Sequence, residues 1–141
     1  MNLFLDSSVI LAACGRPSGA SARVFDIARR SGWSLLASGY VIEEVERNLR
    51  HRLPPAATGE WQRLRPSLRR VADEFTFDRT VLFKKGKDRP ILFTAAAFSE
   101  VLLTLDCGDF GDLMAAGFYG LAIMTPGDFL RRERAAGRLR E

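Results

Sequence analysis

Carboxylates stand directly behind two short apolar runs of this sequence. Asp6 follows "NLFL", and Asp106, Asp109 and Asp112 follow "VLLTL" at steps of three. Two more acids are placed to reach the same region. Asp88 lies in "KGKDRPIL", just before a helical stretch, and "YVIEEVERNL" carries Glu43, Glu44 and Glu46, among which helical geometry alone does not choose. Carboxylates gathered in one place repel one another unless something positive sits between them. An all-oxygen ligand set of this kind suits Mg²⁺ or Mn²⁺, and magnesium keeps several bound waters, one of which can serve as a nucleophile. A single histidine and two cysteines, Cys14 and Cys107, that form no metal-binding pair argue against zinc. The aspartates at 106, 109 and 112 do not make an EF-hand loop, which needs ligands at alternate positions and a glutamate at the twelfth.

The elements that must hold these acids follow from periodicity. "NLFLD" predicts a buried strand ending near Asp6, and "SGASARVFDIARRSG" a helix with a serine cap and a stop at Gly32. "WSLLAS" predicts a second strand. "GYVIEEVERNLRHRL" places Val41, Ile42, Val45, Leu49 and Leu53 on one helical face, leaving Glu44, Asn48 and His51 as a polar flank. Beyond Pro54-Pro55, Trp61, Leu64, Leu68 and Val71 predict a further helix that Pro66 should kink or interrupt. Then come a strand in "TVLFKK", a basic turn, a short helix in "RPILFTAAAF", the strand "EVLLTL", a loop through the three aspartates, a strand near "GLAIM" and a closing helix from "TPGDFL". Alternating strands and helices predict a parallel sheet with helices on both faces. In such sheets ligands bind outside the carboxyl ends of the strands, where Asp6, Glu44, Asp88 and Asp106 can converge.

Bulk properties narrow the setting. The 141 residues match one domain, 1–141, with no repeat or linker, and 47% hydrophobic against 27% charged residues excludes a disordered chain. No apolar stretch is long enough to span a bilayer and the start lacks a signal peptide's pattern, so a cytoplasmic protein with reduced thiols is expected. A net charge of +4 leans weakly toward a polyanionic partner.

The order and spacing of "FLDSSVILAA", "YVIEEVERNL", "KDRPIL", "LLTLDCGDF" and "IMTPGDFL" resemble the PIN-domain nucleases, including the VapC-like toxins of bacterial toxin-antitoxin pairs. The resemblance covers essentially the whole chain. It implies a three-layer α/β/α sandwich around a central five-stranded parallel sheet, and an Mg²⁺- or Mn²⁺-dependent endoribonuclease that leaves a 5'-phosphate and a 3'-hydroxyl. It also implies a small antitoxin partner and a homodimer. Its acids carry over to Asp6, Glu44, Asp88 and Asp106, which selects Glu44 among its neighbours, with Ser8 and Thr104 as polar supports and Asp109 as a further carboxylate at the metal. The family often shows its last two acids two residues apart, whereas Cys107 and Gly108 separate Asp106 from Asp109 here.

That spacing predicts a division of labour. Asp106, on the rigid strand end, binds the ion directly; Asp109, past Gly108, orients it from further out; Asp112 caps the next helix or faces solvent. Asp128 reads as a turn or cap residue, and His51 as a solvated side chain. Lys84, Lys85 and Lys87, beside Asp88, are placed to hold flanking phosphates of RNA, a contact that positions a strand without reading its sequence. Two other readings remain: a module that binds nucleic acid or protein without cutting, and a receiver-like phosphoacceptor domain. The latter leaves Glu44 and Asp88 without a role and lacks paired acids after the first strand, where "DSS" stands.

Overall fold

The computed structural model describes residues 1–78, 83 and 86–141. Five strands form one all-parallel sheet: β1 Asn2–Leu5, β2 Ser34–Ser38, β3 Leu68–Val71, β4 Val101–Leu103 and β5 Ala122–Met124, in the order β3-β2-β1-β4-β5. β1 lies at the centre, with Leu3 beside Leu35 on one side and Val101 on the other. Leu3, Phe4, Leu5, Leu102 and Leu103 are wholly buried, because helices cover both faces of a parallel sheet and leave no solvent side to its inner strands.

Seven α-helices accompany the strands among the described residues: α1 Ser7–Gly15, α2 Ala20–Ser31, α3 Gly39–Arg52, α4 Ala56–Leu64, α5 Arg89–Phe98, α6 Cys107–Ala116 and α7 Pro126–Ala135. The chain steps outward from β1 through β2 to β3, then returns past β1 to β4 and continues to β5. Right-handed crossovers therefore carry α1 to α4 over one face and α5 and α6 over the other. α5 packs on β1 and β4, and α7 lies against α2. The result is the expected α/β/α arrangement around a five-stranded parallel sheet. None of the described helices is long and apolar enough to cross a membrane.

Between β1 and β4 the winding reverses direction. At such a point the loops leaving the two strands diverge to opposite faces and open a crevice at their carboxyl ends. Asp6 leaves β1 there, and Thr104 to Asp106 leave β4.

Three local expectations are corrected. Leu64, Leu68 and Val71 do not share one helix. α4 ends at Leu64, a single 3-10 turn at Arg65–Ser67 holds Pro66, and β3 begins at Leu68 and pairs with β2. Pro66 lacks the N–H that would continue the helix, and the edge strand half-buries only Leu68 and Val71, so it shows no alternating pattern. The stretch through the three aspartates is not a loop but the first turns of α6, started by Asp106 as its cap. α2 is capped by Gly19 with no side-chain cap bond, so the expected serine cap is not formed, while Gly32 ends it as expected in the left-handed conformation at φ +68°. The strand expected in "TVLFKK" lies outside the described residues except for Phe83, which is buried.

Candidate metal centre

Asp6 is held from four directions. Its Oδ1 accepts the Ser7 backbone N–H at 2.8 Å, capping α1, and its Oδ2 accepts the hydroxyls of Ser8 at 3.0 Å and Thr104 at 2.8 Å. Those hydroxyls are themselves fixed: Ser8 Oγ accepts the Leu105 N–H at 3.0 Å, and Thr104 Oγ1 accepts the Asp106 N–H at 3.0 Å. The Asp6 N–H completes the link by donating to the Leu103 carbonyl at 3.0 Å. The ends of β1 and β4 are thus joined through polar side chains as well as through the sheet. A carboxylate offers about four lone-pair sites, so three donors leave Asp6 room for about one more partner. Burial raises its pKa, the Thr104 and Ser8 hydrogen bonds pull it back, and the Glu44 charge raises it again.

Thr104 is fully buried and serves both neighbours at once. Thr104→Val keeps the shape but strands the Asp106 N–H and removes a donor from Asp6. The expected result is a loss of about 1–3 kcal/mol of stability, the usual size for an unsatisfied buried polar group, together with a further rise in the Asp6 pKa. Urea denaturation measures the first. A variant as stable as the parent would mean that the relay contributes nothing to the fold.

α3 starts behind Ser38, whose Oγ accepts the Val41 N–H at 3.3 Å. Its three glutamates face different ways. Glu43 is exposed and pairs with Arg47 at 3.9 Å, and Glu46 pairs with Arg65 at 3.3 Å. Glu44 is half-buried and lines a cleft of about 190 Å³ with Asp6, Asp88 and Asp106. The four acids that the residues suggested therefore share one cavity. Asn48, one turn beyond Glu44, donates its side-chain amide to the Glu44 carbonyl at 2.8 Å and also lines the cleft, as do Arg52 and Lys87. His51 is exposed and does not line it. A roomier groove of about 450 Å³ beside Trp33 and Arg138 has a single carboxylate, Glu133, which Arg132 and Arg138 already pair.

Asp88 differs from Asp6 and Asp106 in one respect. All three precede a helix, but Asp6 and Asp106 spend an oxygen on capping it, and Asp88 makes no side-chain cap bond to α5. Its side chain is buried, and its Oδ2 has no hydrogen-bond partner among the described residues. One carboxylate oxygen each from Asp88, Asp106 and Asp109 lie within 4.8 Å of one another. The Asp88 pKa is pushed up to about 7, first by burial and then by the Asp109 carboxyl facing it, with Asp6 adding to the effect and Lys87 opposing it. Two carboxylates cannot satisfy each other without a proton or a cation between them. The orphaned Asp88 oxygen and the all-oxygen donor set fit a hard divalent ion.

The expected outer position of Asp109 does not match this geometry. α6 begins at Cys107, so Asp109 falls in its first turn, and its N–H donates to Asp106 Oδ1 at 2.9 Å. That bond folds the turn back on itself and brings the Asp109 carboxylate beside those of Asp88 and Asp106, despite the two residues between. Asp112 is exposed inside α6 and caps nothing. Asp128 sits in the first turn of α7, where Thr125 is the cap and the two side chains bond reciprocally, with the Asp128 N–H donating to Thr125 Oγ1 at 3.1 Å.

Lys84 and Lys85 lie outside the described residues; Lys87 is exposed at the cleft. Tyr40 was not singled out by the sequence, yet its hydroxyl donates to the Lys87 carbonyl at 3.1 Å, tying α3 to the turn that carries Asp88. Its phenol pKa is raised by burial and by the charges of Glu44 and Asp88. Asn48 and Arg52 were legible only as steps of four and eight from Glu44 along one helix. The thiols are free, Cys14 buried and Cys107 exposed.

No protein-family model matches this chain, and no curated protein matches it. Four chains of solved structures do. One is the crystal structure of Mycobacterium tuberculosis VapC20, described as a toxin that cleaves the sarcin-ricin loop. It is 20% identical, the match covers 85% of this chain and 98% of that one, and the TM-score is 0.46.

Proposed function

We propose that this chain is an Mg²⁺- or Mn²⁺-dependent endoribonuclease, the toxin of a toxin-antitoxin pair, working from the acidic cleft at the carboxyl edge of its sheet. The observation that carries the reading is the buried Asp88 oxygen, without a hydrogen-bond partner among the described residues, beside the carboxylates of Asp106 and Asp109. A folded protein keeps such a cost where a ligand removes it. The sequence resemblance to VapC-like nucleases supports RNA as the substrate, a small antitoxin as the partner and a homodimer as the assembly.

Asp88, Asp106 and Asp109 are the residues that hold the ion, with Asp6 and Glu44 on the adjoining walls. When bound, such an ion polarises the phosphodiester, lowers the pKa of a ligated water and stabilises the leaving oxygen. Ser8 and Thr104 keep the Asp6 carboxylate in one orientation, so its remaining lone pair can accept from a water in the cleft. Lys87 offers its ammonium to a phosphate of the strand. In the hydrolysis, the water oxygen bonds to phosphorus and the bond from phosphorus to the 3'-oxygen breaks, giving a 5'-phosphate and a 3'-hydroxyl.

The test is cleavage of single-stranded RNA by the purified protein with and without divalent ions. Activity should require Mg²⁺ or Mn²⁺, stop on addition of EDTA and vanish in Asp6→Asn, whose circular dichroism should match the parent's. Expression should arrest growth, and co-expression of a small protein encoded beside it should relieve the arrest. Full cleavage in EDTA would sink the metal mechanism, and full cleavage by Asp6→Asn would remove Asp6 from it.

A further inference from the structure

Arg52 lines the same cleft as four carboxylates, yet its guanidinium makes no ion pair or hydrogen bond among the described residues. Two other arginines at this helix behave otherwise: Arg47 pairs with Glu43, and Arg65 with Glu46. An arginine placed to neutralise the acids would contact one of them; Arg52 contacts none, so its fork of donors is open to an anion. Glu44, Asn48 and Arg52 follow at steps of four along α3 and therefore form a line on one face. Eight residues of helix separate Glu44 from Arg52 by about 12 Å along the axis. That places Arg52 at the far end of the line from Glu44, where a phosphate next to the one at the acids would lie.

We infer that Arg52 is a positioning residue that grips a phosphate of the RNA strand flanking the one cut, with the strand running along α3 from Glu44 past Asn48 to Arg52. This rests on the ribonuclease reading above and adds a direction to it. The planar guanidinium suits a phosphate because two parallel N–H groups can meet two oxygens. A grip at this distance acts only on strands long enough to span from the acids to the end of α3. It strengthens substrate binding without taking part in bond breaking.

Arg50 provides the control. It is exposed in the same last turn of α3, carries the same charge and sees the same helix end, but does not line the cleft. With an RNA oligonucleotide of about ten residues and Mn²⁺, Arg52→Ala should raise KM about fivefold, the size of one exposed charge pair. The slope of log affinity against log salt should shrink by about 0.7, as for one lost phosphate contact on a single strand. Arg52→Lys should restore the slope, and Arg50→Ala should change neither quantity. On a dinucleotide, which has no flanking phosphate, Arg52→Ala and the parent should share one KM. If the parent cuts RNA but Arg52→Ala matches it on the longer strand, or Arg50→Ala is equally affected, the inference fails and the nuclease reading stands. If the parent neither binds nor cuts RNA with Mn²⁺, both fail together.

Discussion

Asp88→Asn is expected to abolish metal-dependent RNA cleavage and, in metal-free buffer at neutral pH, to make the protein more stable than its parent. The two effects have one cause. The Asp88 carboxyl is buried against Asp109 with an oxygen that has no hydrogen-bond partner among the described residues, which suits a cation and penalises the bare anion. In the unfolded chain the group ionises near its ordinary value of 3.8, and in the folded protein near about 7. Between those values the unfolded state has released the proton and the folded state still holds it. Asp88 therefore subtracts stability progressively as pH rises from about 4 to about 7, and the full penalty persists above that range. Asparagine has no such proton to lose. The difference in stability between variant and parent should open across that window and close again below it.

Metal reverses the comparison. A divalent ion competes with the proton for Asp88, so loading should strengthen as pH climbs through about 7. Mn²⁺ should raise the melting temperature of the parent and leave that of Asp88→Asn nearly unmoved. Melting curves from pH 4 to 8, with EDTA and with Mn²⁺, test both halves. A variant less stable than its parent at pH 8 in EDTA, or one that Mn²⁺ still protects fully, would show that Asp88 is satisfied in some other way.

Asp106→Asn and Asp109→Asn are expected to be equally damaging. The spacing through Cys107 and Gly108 suggested an outer, supporting place for Asp109, but the cap bond from its N–H to Asp106 Oδ1 turns its carboxylate into the group of three. Each substitution should lower cleavage and Mn²⁺ affinity by more than the 10- to 100-fold or so typical of residues that only orient a ligand. Stability separates this from a folding defect. Asparagine caps a helix about as well as aspartate, so Asp106→Asn should keep α6 intact. Asp112→Asn, exposed one turn further on, should change neither quantity. Calorimetric Mn²⁺ titration and cleavage rates on the three variants decide the matter, and a mild Asp109→Asn would return that residue to a supporting role.

What the sequence determined by itself was local. Leu3 to Leu5 and Val101 to Leu103 read as strands buried on both faces, because short uninterrupted apolar runs in a chain of alternating elements fit the inside of a parallel sheet. Acids directly behind them had to emerge at the carboxyl edge of the sheet, and α3 had its face written in Val41, Val45 and Leu49. Other features needed the tertiary structure. Leu64, Leu68 and Val71 fit a helical repeat equally well until β2 supplies the partner that makes β3 a strand. Nothing local separates Glu44 from Glu43 and Glu46; Arg47 and Arg65 occupy the latter two, while the crossing of α3 past the β1–β4 crevice turns Glu44 inward. Nor could spacing reveal that Asp109 meets Asp88 across 21 residues, or that of Asp6, Asp88 and Asp106 it is Asp88 that makes no cap bond to its helix. Periodicity and capping act within a few residues, so they are written in the chain. Which side chains meet depends on strand order and crossover direction, and those are settled only when distant segments pack.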